Sequence, residues 1–539
     1  MDQFRFLAAA LFAGNGEQQG ARMRRKHLFA ISIVVGVGFV LRLIAISGRG
    51  IWYDDAFSIF LARLNLAAIV AGTAADTMPP LYYFLLHFWL AAGESIAWLR
   101  MMNVMFSLAV ILLVYIWVWK MFGDRAAFWA ALLTAVSPIQ IYHAQEIRMY
   151  ALLELTQLGY ILFFFNSLVQ ESSAPKTRWS GLGNWIGLVI CGTTALYTHN
   201  LAIFVIVVPN IILLLRRRWP LSLKLLVAQA AMMILAVPWL VMIPGQIEKI
   251  QRAFWTPQPG VVEILQAIVV LTAALPLHGI WQTLAIILSV EAFVLTALVV
   301  GKTLFLGILP NGSENDSRAR NQLLEMVVMI ALVPPLLMFI ASYVMRPLFV
   351  PRGFLLSSLA YFALIGWLAG SRFYRVGGRL VIGAVLLAAI VSLPFQYTYD
   401  QFPRSPFEEA AVWLEGSVPP GSRVIHDNKL SFFPTRFYAQ GLEQVFLGDK
   451  PGSHNDTFAV ATQTAMGIYP ENNLLTAAQE IEQVYFVIFD KAIQEHQAAG
   501  LPNHPSLEWL DSCYELVDQV AFEDLSIFHY TWLGTCQID

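Results

Sequence analysis

Segments of roughly twenty mostly apolar residues recur along this 539-residue chain and constrain its fold more than any other feature. A helix of about that length crosses the hydrocarbon core of a bilayer. Only 13% of the residues are charged, whereas soluble domains carry about 25%. The sequence therefore predicts a polytopic α-helical membrane protein with about 11 transmembrane helices. The apolar segments are residues 28–46, 99–119, 126–142, 148–168, 183–199, 201–215, 222–243, 281–301, 324–343, 353–370 and 380–396.

The distribution of Lys and Arg predicts how these segments are oriented, because cytosolic loops carry an excess of both. If residues 1–27 are a cytosolic tail, every second loop holds such cations and the C-terminus lies outside the cytosol. Segment 28–46 is too long for a signal-peptide core and is expected to be retained as an anchor. The apolar run 261–275 would break the alternation, so we expect it to be re-entrant or interfacial. The cations are Lys120, Arg125, Lys176, Arg178, Arg216, Arg217, Arg218, Lys302, Arg318, Arg320, Arg372, Arg375 and Arg379.

The first loop on the outer side, residues 47–98, is long enough to contain helices of its own. Five apolar residues in it follow the spacing of one helical face, which predicts a helix lying along the membrane interface. A second segment, 79–89, begins at a proline pair, is rich in aromatic residues, and predicts a half-inserted or interfacial helix. The five residues of the stripe are Phe57, Phe60, Leu61, Leu64 and Ala68.

The tail, residues 397–539, has ordinary polarity and alternates helix-like with strand-like patterns. It predicts a small α/β domain on the outer side of the membrane. Helix patterns cover 406–414 and 474–481, and strand-like runs cover 423–426, 483–489 and 526–532.

Two of the three cysteines, Cys513 and Cys536, lie in this tail, on the side of the membrane where disulfides persist. A bridge between them would close a loop of about two dozen residues and contribute roughly 3 kcal/mol. Two cysteines in one small domain need not meet, so the sequence leaves the pairing open. Cys191 lies inside an apolar segment, where we expect it to pack as a small apolar residue.

Two adjacent carboxylates, Asp54 and Asp55, follow the first apolar segment and are preceded by Trp52 and Tyr53. One interpretation is a helix N-cap, in which an aspartate accepts the first amides of the following helix. A cap needs only one aspartate, however, and the neighbouring aromatic residues indicate a partly dry site. The pair is therefore a candidate for catalysis or substrate binding at the outer face.

A second polar cluster lies between the segments 126–142 and 148–168. It contains His143, Glu146, Arg148 and Tyr150, and the face of Glu146 and Tyr150 continues at Glu154. Ionisable residues at membrane depth are costly and usually face a cavity or a partner. One alternative is a structural Glu–Arg pair that ties two helices together. The other is a site in which Arg148 binds an anion while Glu146 orients an acceptor or a metal.

Further cations are expected on the outer side, and each alone is typical of an anchor to lipid head groups. Together with the two acidic clusters they indicate a binding site for a lipid phosphate. These residues are His199, Lys249, Arg252, Arg346 and Arg352. Glu291, in the middle of an apolar segment, has no explanation in the sequence.

Several function classes lack their sequence signals. The chain has no phosphate-cradling glycine loop, no His/Cys metal spacing and no Gly-x-Ser-x-Gly elbow. Nucleotide-driven chemistry is therefore not expected. The net charge of −2 and the lack of a basic tract give no indication of nucleic-acid binding.

Three stretches resemble the bacterial GT-C glycosyltransferases of the dolichyl-phosphate-mannose–protein mannosyltransferase type (glycosyltransferase family 39), which include the aminoarabinose transferase of lipid A. They are residues 52–56, residues 79–83 with Tyr82, and residues 137–150. The resemblance covers most of residues 28–396, which would form a GT-C-like transmembrane catalytic domain in the cell inner (plasma) membrane. Two departures are Asp55, where many relatives have Glu, and Met78, where the aminoarabinose transferases have Lys.

The resemblance implies an inverting transfer from a polyprenyl-phosphate sugar, a hexose or pentose, to a lipid, glycan or protein acceptor in the cell envelope. It implies that Asp54 and Asp55 are the catalytic pair, with Asp54 as the general base. It also implies that Asp55 and Glu146 shape the acceptor side and that Arg148 and Arg352 hold the phosphate. The requirement for a divalent metal stays open. Residues implied to bind the substrates are Tyr82, His143, Glu146, Arg148, Tyr150, His199, Arg346 and Arg352.

Two other classes of protein share some of these features. A secondary transporter or a flippase for lipid-linked sugars also has many spans and a few buried acids. Such proteins usually show paired repeats and broken helices at the membrane midplane, whereas this chain shows no repeat and has its charges at the outer boundary. A non-catalytic partner in envelope assembly is a third alternative.

Overall fold

A computed structural model of the chain describes residues 17–171, 181–252, 256–274, 277–306, 314–345, 347–371, 373–398, 405–453 and 455–536. The part up to residue 398 is helical. Its helices are α1 (Glu17–Leu43), α2 (Tyr53–Ala62), α3 (Leu66–Ala75), α4 (Leu81–Leu90), α5 (Ile96–Phe122), α6 (Asp124–Val136), α7 (Pro138–Ala144), α8 (Tyr150–Glu171), α9 (Leu182–Thr198), α10 (Ile203–Ile206), α11 (Val208–Leu215), α12 (Trp219–Leu240), α13 (Ile243–Arg252), α14 (Val261–Val270), α15 (Gly279–Leu306), α16 (Glu314–Val344), α17 (Leu355–Gly370) and α18 (Arg375–Thr398). Short 3-10 helices cover Asn200–Ala202 and Pro351–Phe354.

Among the described residues, eight helices are long and apolar enough to cross a membrane. The prediction of a multi-pass helical protein is confirmed. The other three predicted segments are shorter or divided. Segment 183–199 is the 17-residue helix α9, and segment 201–215 is divided near Pro209, which has no N–H for a helical hydrogen bond. The eight long spans are Lys26–Leu43, Ile96–Phe122, Tyr150–Gln170, Trp219–Leu240, Gly279–Leu306, Arg320–Val344, Pro351–Gly370 and Arg375–Thr398.

The remaining segment, 126–142, is divided between α6 and α7. Ser137 has an extended backbone (φ −63°, ψ 124°) directly before Pro138, as expected because a proline disfavours the helical conformation in the preceding residue. This break turns the chain out of α6 and positions α7 and the segment 145–149 beside the first outer loop. In the predicted apolar run 261–275, the residues that the structure describes form one helix, the ten-residue α14, which is too short to cross.

Helix α17 is buried over nearly its whole length and packs closely on α6. A Cβ atom on Gly366 would lie 2.4 Å from the carbonyl oxygen of Ala126, and one on Gly370 would lie 3.1 Å from the Ala126 nitrogen. In lipid, helices associate mainly through such close packing of small residues. The α6–α17 contact therefore depends on the absence of side chains at these two glycines.

The first outer loop contains three short helices, α2, α3 and α4. The prediction that the apolar stripe from Phe57 to Ala68 lies in one helix is wrong. Helix α2 ends at Ala62, and Asn65 caps the start of α3. The Asn65 side chain accepts a hydrogen bond from the Ala68 amide at 2.9 Å. Phe57 and Leu61 are buried rather than turned toward lipid. Helix α4 begins after the proline pair, in the position predicted for the second helix of this loop.

The C-terminal part is an α/β domain with one five-stranded sheet, which confirms the predicted class. The strand order is β2-β1-β3-β5-β4, with β1 parallel to β2 and β3, and with β5 antiparallel to β3 and β4. Helices cover both faces, and each face has its own apolar cluster. The elements are α19 (Phe407–Ser417), β1 (Arg423–His426), α20 (Lys429–Tyr438), β2 (Gln444–Phe446), α21 (Val460–Met466), α22 (Leu474–Ala478), β3 (Gln483–Phe489), α23 (Asp490–Ala498), α24 (Pro505–Cys513), β4 (Tyr514–Phe522) and β5 (Leu525–Trp532).

All three predicted strands are present, two of them with the predicted bounds. Cys513 and Cys536 form a disulfide, which decides the pairing that the sequence left open. Cys191 is a free thiol in α9 and packs toward Gly159 of α8.

The α/β domain packs directly on the first outer loop. The Tyr438 hydroxyl accepts a hydrogen bond from the Ile51 amide at 2.9 Å, and the Thr462 hydroxyl donates one to the Gly72 carbonyl at 3.0 Å. The Phe433 ring lies 5.5 Å from the Tyr53 ring and 6.0 Å from the Phe57 ring. The domain therefore holds helix α2, which carries both aspartates, from the side opposite to the membrane helices.

The close contact of α6 and α17 makes a testable prediction. Gly366→Ala should lower the free energy of unfolding by about 1–3 kcal/mol, because the new methyl group overlaps the Ala126 carbonyl. Gly383→Ala is the matched control, since a Cβ atom at Gly383 meets nothing within 4 Å. Thermal unfolding of both variants in detergent measures the effect. Equal melting temperatures for the two variants would contradict this packing.

Candidate active site

The two adjacent carboxylates lie in the first turn of α2 but have different surroundings. The helix begins at Tyr53, its N-cap residue is Trp52, and no side chain caps it. The N-cap interpretation of the aspartates is therefore wrong. Asp55 is only 2% exposed, whereas the Asp54 side chain is 39% exposed.

The buried Asp55 carboxylate connects the first outer loop to the segment 145–149. The Ile147 amide donates a hydrogen bond to Asp55 Oδ1 at 2.8 Å, and the Arg100 guanidinium lies 3.7 Å from Oδ2. Burial raises the pKa of Asp55, while the positive charges of Arg100 and Arg49 oppose that rise. Asp55 is thus part of the framework that supports the site.

Arg100, at the start of α5, fixes the backbone that leads into α2. Its side chain is fully buried and donates hydrogen bonds to the carbonyl oxygens of Ile46 at 2.6 Å, Arg49 at 2.7 Å and Gly50 at 3.1 Å. A guanidinium can satisfy several carbonyls at once because it carries five donors in a rigid plane. Arg100 therefore holds both the backbone before α2 and the carboxylate within it.

Hydrogen bonds from amide side chains hold the segment 145–149 against α5 and the end of α1. Asn103 of α5 donates hydrogen bonds to the carbonyl oxygens of Glu146 and, at 2.8 Å, of Arg148. The Tyr82 hydroxyl lies 3.1 Å from the same amide nitrogen, and its ring is fully buried. Gln145 adds two bonds to carbonyl oxygens at the end of α1. Tyr82 therefore contacts the side chain that holds this segment in place.

Glu146 is surrounded by positive charge. The His143 ring nitrogen Nδ1 lies 2.8 Å from one carboxylate oxygen, and the Arg49 guanidinium lies 3.7 Å from the other. Arg49 also stacks over the Tyr142 ring, 4.3 Å from its centre. Burial raises the pKa of Glu146, but His143, Arg49 and Arg352 outweigh it and lower the pKa to about 2. Glu146 is therefore a carboxylate at neutral pH.

Arg148 reaches from the same segment to the exposed aspartate. Its guanidinium lies 3.9 Å from Asp54 Oδ1 and 3.4 Å from the Ser58 hydroxyl, which it contacts as a donor. Burial lowers the pKa of Arg148, but the acidic groups that face it, of which Asp54 has the largest effect, together outweigh burial and raise the pKa. At 3.9 Å the Arg148 and Asp54 side chains form a long ion pair and not a direct hydrogen bond.

Aromatic rings and a second arginine form the wall of the site beside Arg148. The Tyr150 ring lies 4.9 Å from the His143 ring and 5.9 Å from the His199 ring. The Arg352 guanidinium lies 5.7 Å from the centre of the Tyr150 ring. His199 Nδ1 accepts a hydrogen bond from the Leu201 amide at 3.1 Å, so the other ring nitrogen carries the proton in the neutral imidazole.

The structure thus brings together residues predicted from four separate regions of the sequence: 54–55, 143–150, 199 and 352. Arg346 lies outside the described residues, as do the side chains of Lys249 and Arg252. Three supporting residues, Arg49, Arg100 and Asn103, were not predicted. The two arginines had a signal, since each stands at the end of an apolar segment, where a buried cation is costly and needs a partner.

An apolar groove of about 390 Å³ opens between α10 and the C-terminal turns of α16. One of its lining residues, Ile203, is four residues from His199 in the chain. Its lining consists of Ile203, Phe204, Val207, Leu337, Ile340, Ala341, Val344 and Met345. Within the described part of the chain, no group of three or more His, Cys, Asp or Glu side chains is arranged to hold a metal ion.

Comparison with solved structures identifies the fold. ArnT from Cupriavidus metallidurans in the apo state superimposes with a TM-score of 0.59 and 14% identity, over 93% of this chain and 97% of ArnT. ArnT bound to undecaprenyl phosphate gives 0.58 and 13%, over the same shares of the two chains. The archaeal oligosaccharyltransferase AglB from Archaeoglobus fulgidus, in complex with an inhibitory peptide and a dolichol-phosphate, gives 0.56 and 11%, over 94% of this chain and 74% of AglB.

No protein-family model and no curated protein sequence matches the chain. The structural likeness nevertheless extends over most of its length, including the α/β domain. The chain therefore has the same fold as ArnT and AglB, and the predicted GT-C-like fold is confirmed.

The contrast between the two aspartates predicts opposite effects on stability. Asp55→Asn should lower the free energy of unfolding by about 3–5 kcal/mol, because it leaves the buried Arg100 without its carboxylate. Asp54→Asn should change it by less than about 1 kcal/mol, since Asp54 is partly exposed and its ion pair is long. Thermal unfolding in detergent measures both. An equal loss of unfolding free energy in the two variants would contradict the assignment of Asp55 to the supporting framework and of Asp54 to the site.

Glu146 predicts a defined loss of stability in acid. Because its folded pKa is lowered from 4.5 to about 2, its stabilising contribution is complete above pH 4.5 and is lost as the pH falls toward 2. Glu146→Gln lacks this contribution at every pH. The difference in unfolding free energy between wild type and Glu146→Gln should therefore shrink by about 2 kcal/mol between pH 6 and pH 3. A difference that is constant with pH would show that Glu146 is not held as a carboxylate.

Proposed function

We propose that this protein is a membrane glycosyltransferase that moves a sugar from a polyprenyl-phosphate carrier to an acceptor in the cell envelope. One observation carries the proposal: the partly exposed Asp54 carboxylate lies 3.9 Å from the buried Arg148 guanidinium. A base and an anion-binding group thus line one site at the end of the membrane helices. The GT-C fold supports this proposal, since ArnT and AglB share it.

The cationic side of the site is suited to a phosphate leaving group. A phosphate that leaves from a sugar needs stabilisation of negative charge more than it needs a proton, and arginine provides this through paired donors. The Arg352 guanidinium lies 5.7 Å from the centre of the Tyr150 ring, and Arg148 is two residues before Tyr150 in the chain. His143 and His199 lie against the same ring. In this proposal the arginines hold the donor phosphate, and Tyr150 with the two histidines forms the wall against which it rests.

The apolar groove supports a lipid-linked donor. Its lining includes Ile203, four residues from His199 in the chain, and in this proposal a lipid whose phosphate lies at the arginines extends its chain along Ile203 and α16. A lipid tail binds such a surface by burying apolar area. ArnT has been solved with undecaprenyl phosphate and AglB with a dolichol-phosphate, both of which are phosphorylated polyprenols.

Asp54 is proposed as the general base of a single displacement. Its carboxylate takes the proton of the acceptor hydroxyl while the acceptor oxygen forms a bond to the anomeric carbon. The bond from that carbon to the phosphate oxygen breaks, and the phosphate leaves with the electron pair. The configuration of the sugar inverts. A positioned base of this kind contributes typically about 10²–10⁴-fold to the rate.

Asp55 and Glu146 have supporting roles in this proposal. Asp55 is committed to the Ile147 amide and Arg100, and Glu146 is committed to His143 and Arg49. Both carboxylates fix the segment that presents Arg148, as do Asn103 and Tyr82 from below. Asp55 thus positions the site, and Asp54 alone of the pair reacts.

The proposed location is the inner (plasma) membrane of the cell, with the N-terminus in the cytosol and the α/β domain outside. Cations in every second loop support this orientation. The reaction would then take place at the outer face, where the α/β domain packs over helix α2. The acceptor would reach Asp54 from that side.

The test of this proposal separates catalysis from binding. Asp54→Asn should reduce release of polyprenyl phosphate from a polyprenyl-phosphate sugar by about 10²–10⁴-fold. Binding of the donor should change little, since the amide leaves Arg148 and Arg352 in place. Transfer is followed with a crude envelope extract as the acceptor source, and donor binding with polyprenyl phosphate as the ligand.

Glu94→Gln provides a matched control in the same outer loop, where Glu94 is half exposed and pairs with Arg63. This variant should keep wild-type turnover. If Asp54→Asn turns over at the wild-type rate, the base lies elsewhere. If it loses donor binding together with turnover, Asp54 is a structural residue.

A further inference from the structure

Helix α15 carries one acidic residue, Glu291, near the middle of its length. With a rise of about 1.5 Å per residue, Glu291 lies roughly 12 Å along the helix from Thr283 and roughly 16 Å from Lys302, the polar residues toward the two ends. The hydrocarbon core is about 30 Å thick. Glu291 is therefore at the depth of the membrane centre.

The opposite face of α15 accounts for its packing within the protein. Its buried residues are small and recur every three or four positions, and they pack toward α18 and α14: Ala285, Ser289, Ala292, Thr296, Val300 and Thr303. The Ser289 hydroxyl accepts a hydrogen bond from the Thr272 hydroxyl at 2.6 Å. Glu291 is exposed and does not belong to this face.

The exposed face of α15 follows a heptad pattern, and Glu291 is at one of its positions. Ile287, Val294, Leu298 and Phe305 are 56%, 45%, 64% and 90% exposed. Together with Glu291 and Gly301 they are spaced by alternating steps of four and three residues, as in the contact seam of paired helices. These six residues form the seam of α15. Gly301 has open space around it, so another helix can approach closely there.

A charged or strongly polar side chain facing lipid at this depth is unfavourable by about 2.5–3.5 kcal/mol on insertion scales. Such residues almost always have a partner inside the membrane. Among the described residues, no hydrogen bond or ion pair reaches Glu291. The exposed central turns of α12 (226–237), α16 (332–340) and α18 (381–393) carry no charged residue at all. Glu291 is thus an exception that calls for a specific contact.

We propose that the seam of α15 is the interface of a homodimer, in which Glu291 of one copy pairs with Glu291 of the other across a two-fold axis. A protonated carboxyl group both donates and accepts a hydrogen bond, so two such groups complement each other. In a two-fold interface the same patch meets itself. The seam of α15 can do this, because its one polar residue lies between apolar residues on both sides. A single polar residue in such a seam fixes register and the number of helices.

The experiment uses the full chain in lipid bilayers. Two populations labelled with a donor and an acceptor fluorophore are reconstituted over a range of protein-to-lipid ratios, and energy transfer gives the dissociation constant of the dimer. Glu291→Val should raise that constant roughly threefold to thirtyfold, the range for polar contacts between membrane helices. Glu291→Gln should keep the dimer, because an amide also donates and accepts. Leu226→Val, on the exposed face of α12, should have no effect.

Cysteine cross-linking locates the interface independently of any loss of folding. In a Cys191→Ala background, Val294→Cys places a thiol on the seam one turn from Glu291, and Leu226→Cys places one on α12. Oxidation should link two copies through position 294 and not through position 226. Wild-type protein that is monomeric at every ratio overturns the proposal. So does energy transfer unchanged in Glu291→Val, or linkage through position 226 alone.

Discussion

The hydrogen bond from the Ile147 amide to the Asp55 carboxylate joins two parts of the chain that are 92 residues apart. One is the first turn of α2, which carries Asp54. The other is the segment between α7 and α8, which carries Glu146 and Arg148. This bond and the Arg100 contact beside it tie the two parts together directly, and they help to set the distance between Asp54 and Arg148. The geometry of the site therefore rests on a buried aspartate that takes no direct part in the proposed reaction.

Buried charge dominates the energetics of this region. Arg49, Arg100, Arg148, Asp55 and Glu146 are all largely removed from water, and an isolated ion in such a place would be strongly destabilising. Each is stabilised by an opposite charge, by carbonyl oxygens or by an aromatic face. Removing one buried partner would leave the other charge uncompensated, which is destabilising. Charges that are already in place before the substrates arrive suit the proposed reaction, because they stabilise the charge that develops in its transition state.

The sequence indicated which polar residues lie close together better than it indicated where the surrounding helices begin and end. Asp54, Glu146, Arg148, His199 and Arg352 stand out because polar groups at the ends of apolar segments need a reason to be there, and the structure brings them together. Asn103 gave no such signal. The sequence does not show which groups a single amide inside a long apolar helix contacts, so it could not be assigned a role. Its carbonyl partners come from a segment more than forty positions away.

Helix bounds and helix packing depended on local and tertiary effects that hydropathy does not capture. The stripe from Phe57 to Ala68 fits one helix by spacing, but Asn65 caps a new helix and breaks it. Ser137 and Pro138 divide another apolar segment in the same way. In the α/β domain, by contrast, the three predicted strands were located nearly to the residue, although β2 and β4 were not predicted. There the pattern is dense and the strands are short, which leaves little freedom in their bounds.

Cleavage of the donor distinguishes the central claim from its alternatives most directly. Purified protein in bilayers would be supplied with a panel of polyprenyl-phosphate sugars and an envelope extract, and the release of free polyprenyl phosphate would be measured. A transferase predicts release that requires both a suitable donor and the extract. Movement of intact lipid-linked sugar across the bilayer without release, by protein shown to be folded, would contradict the account and identify a flippase.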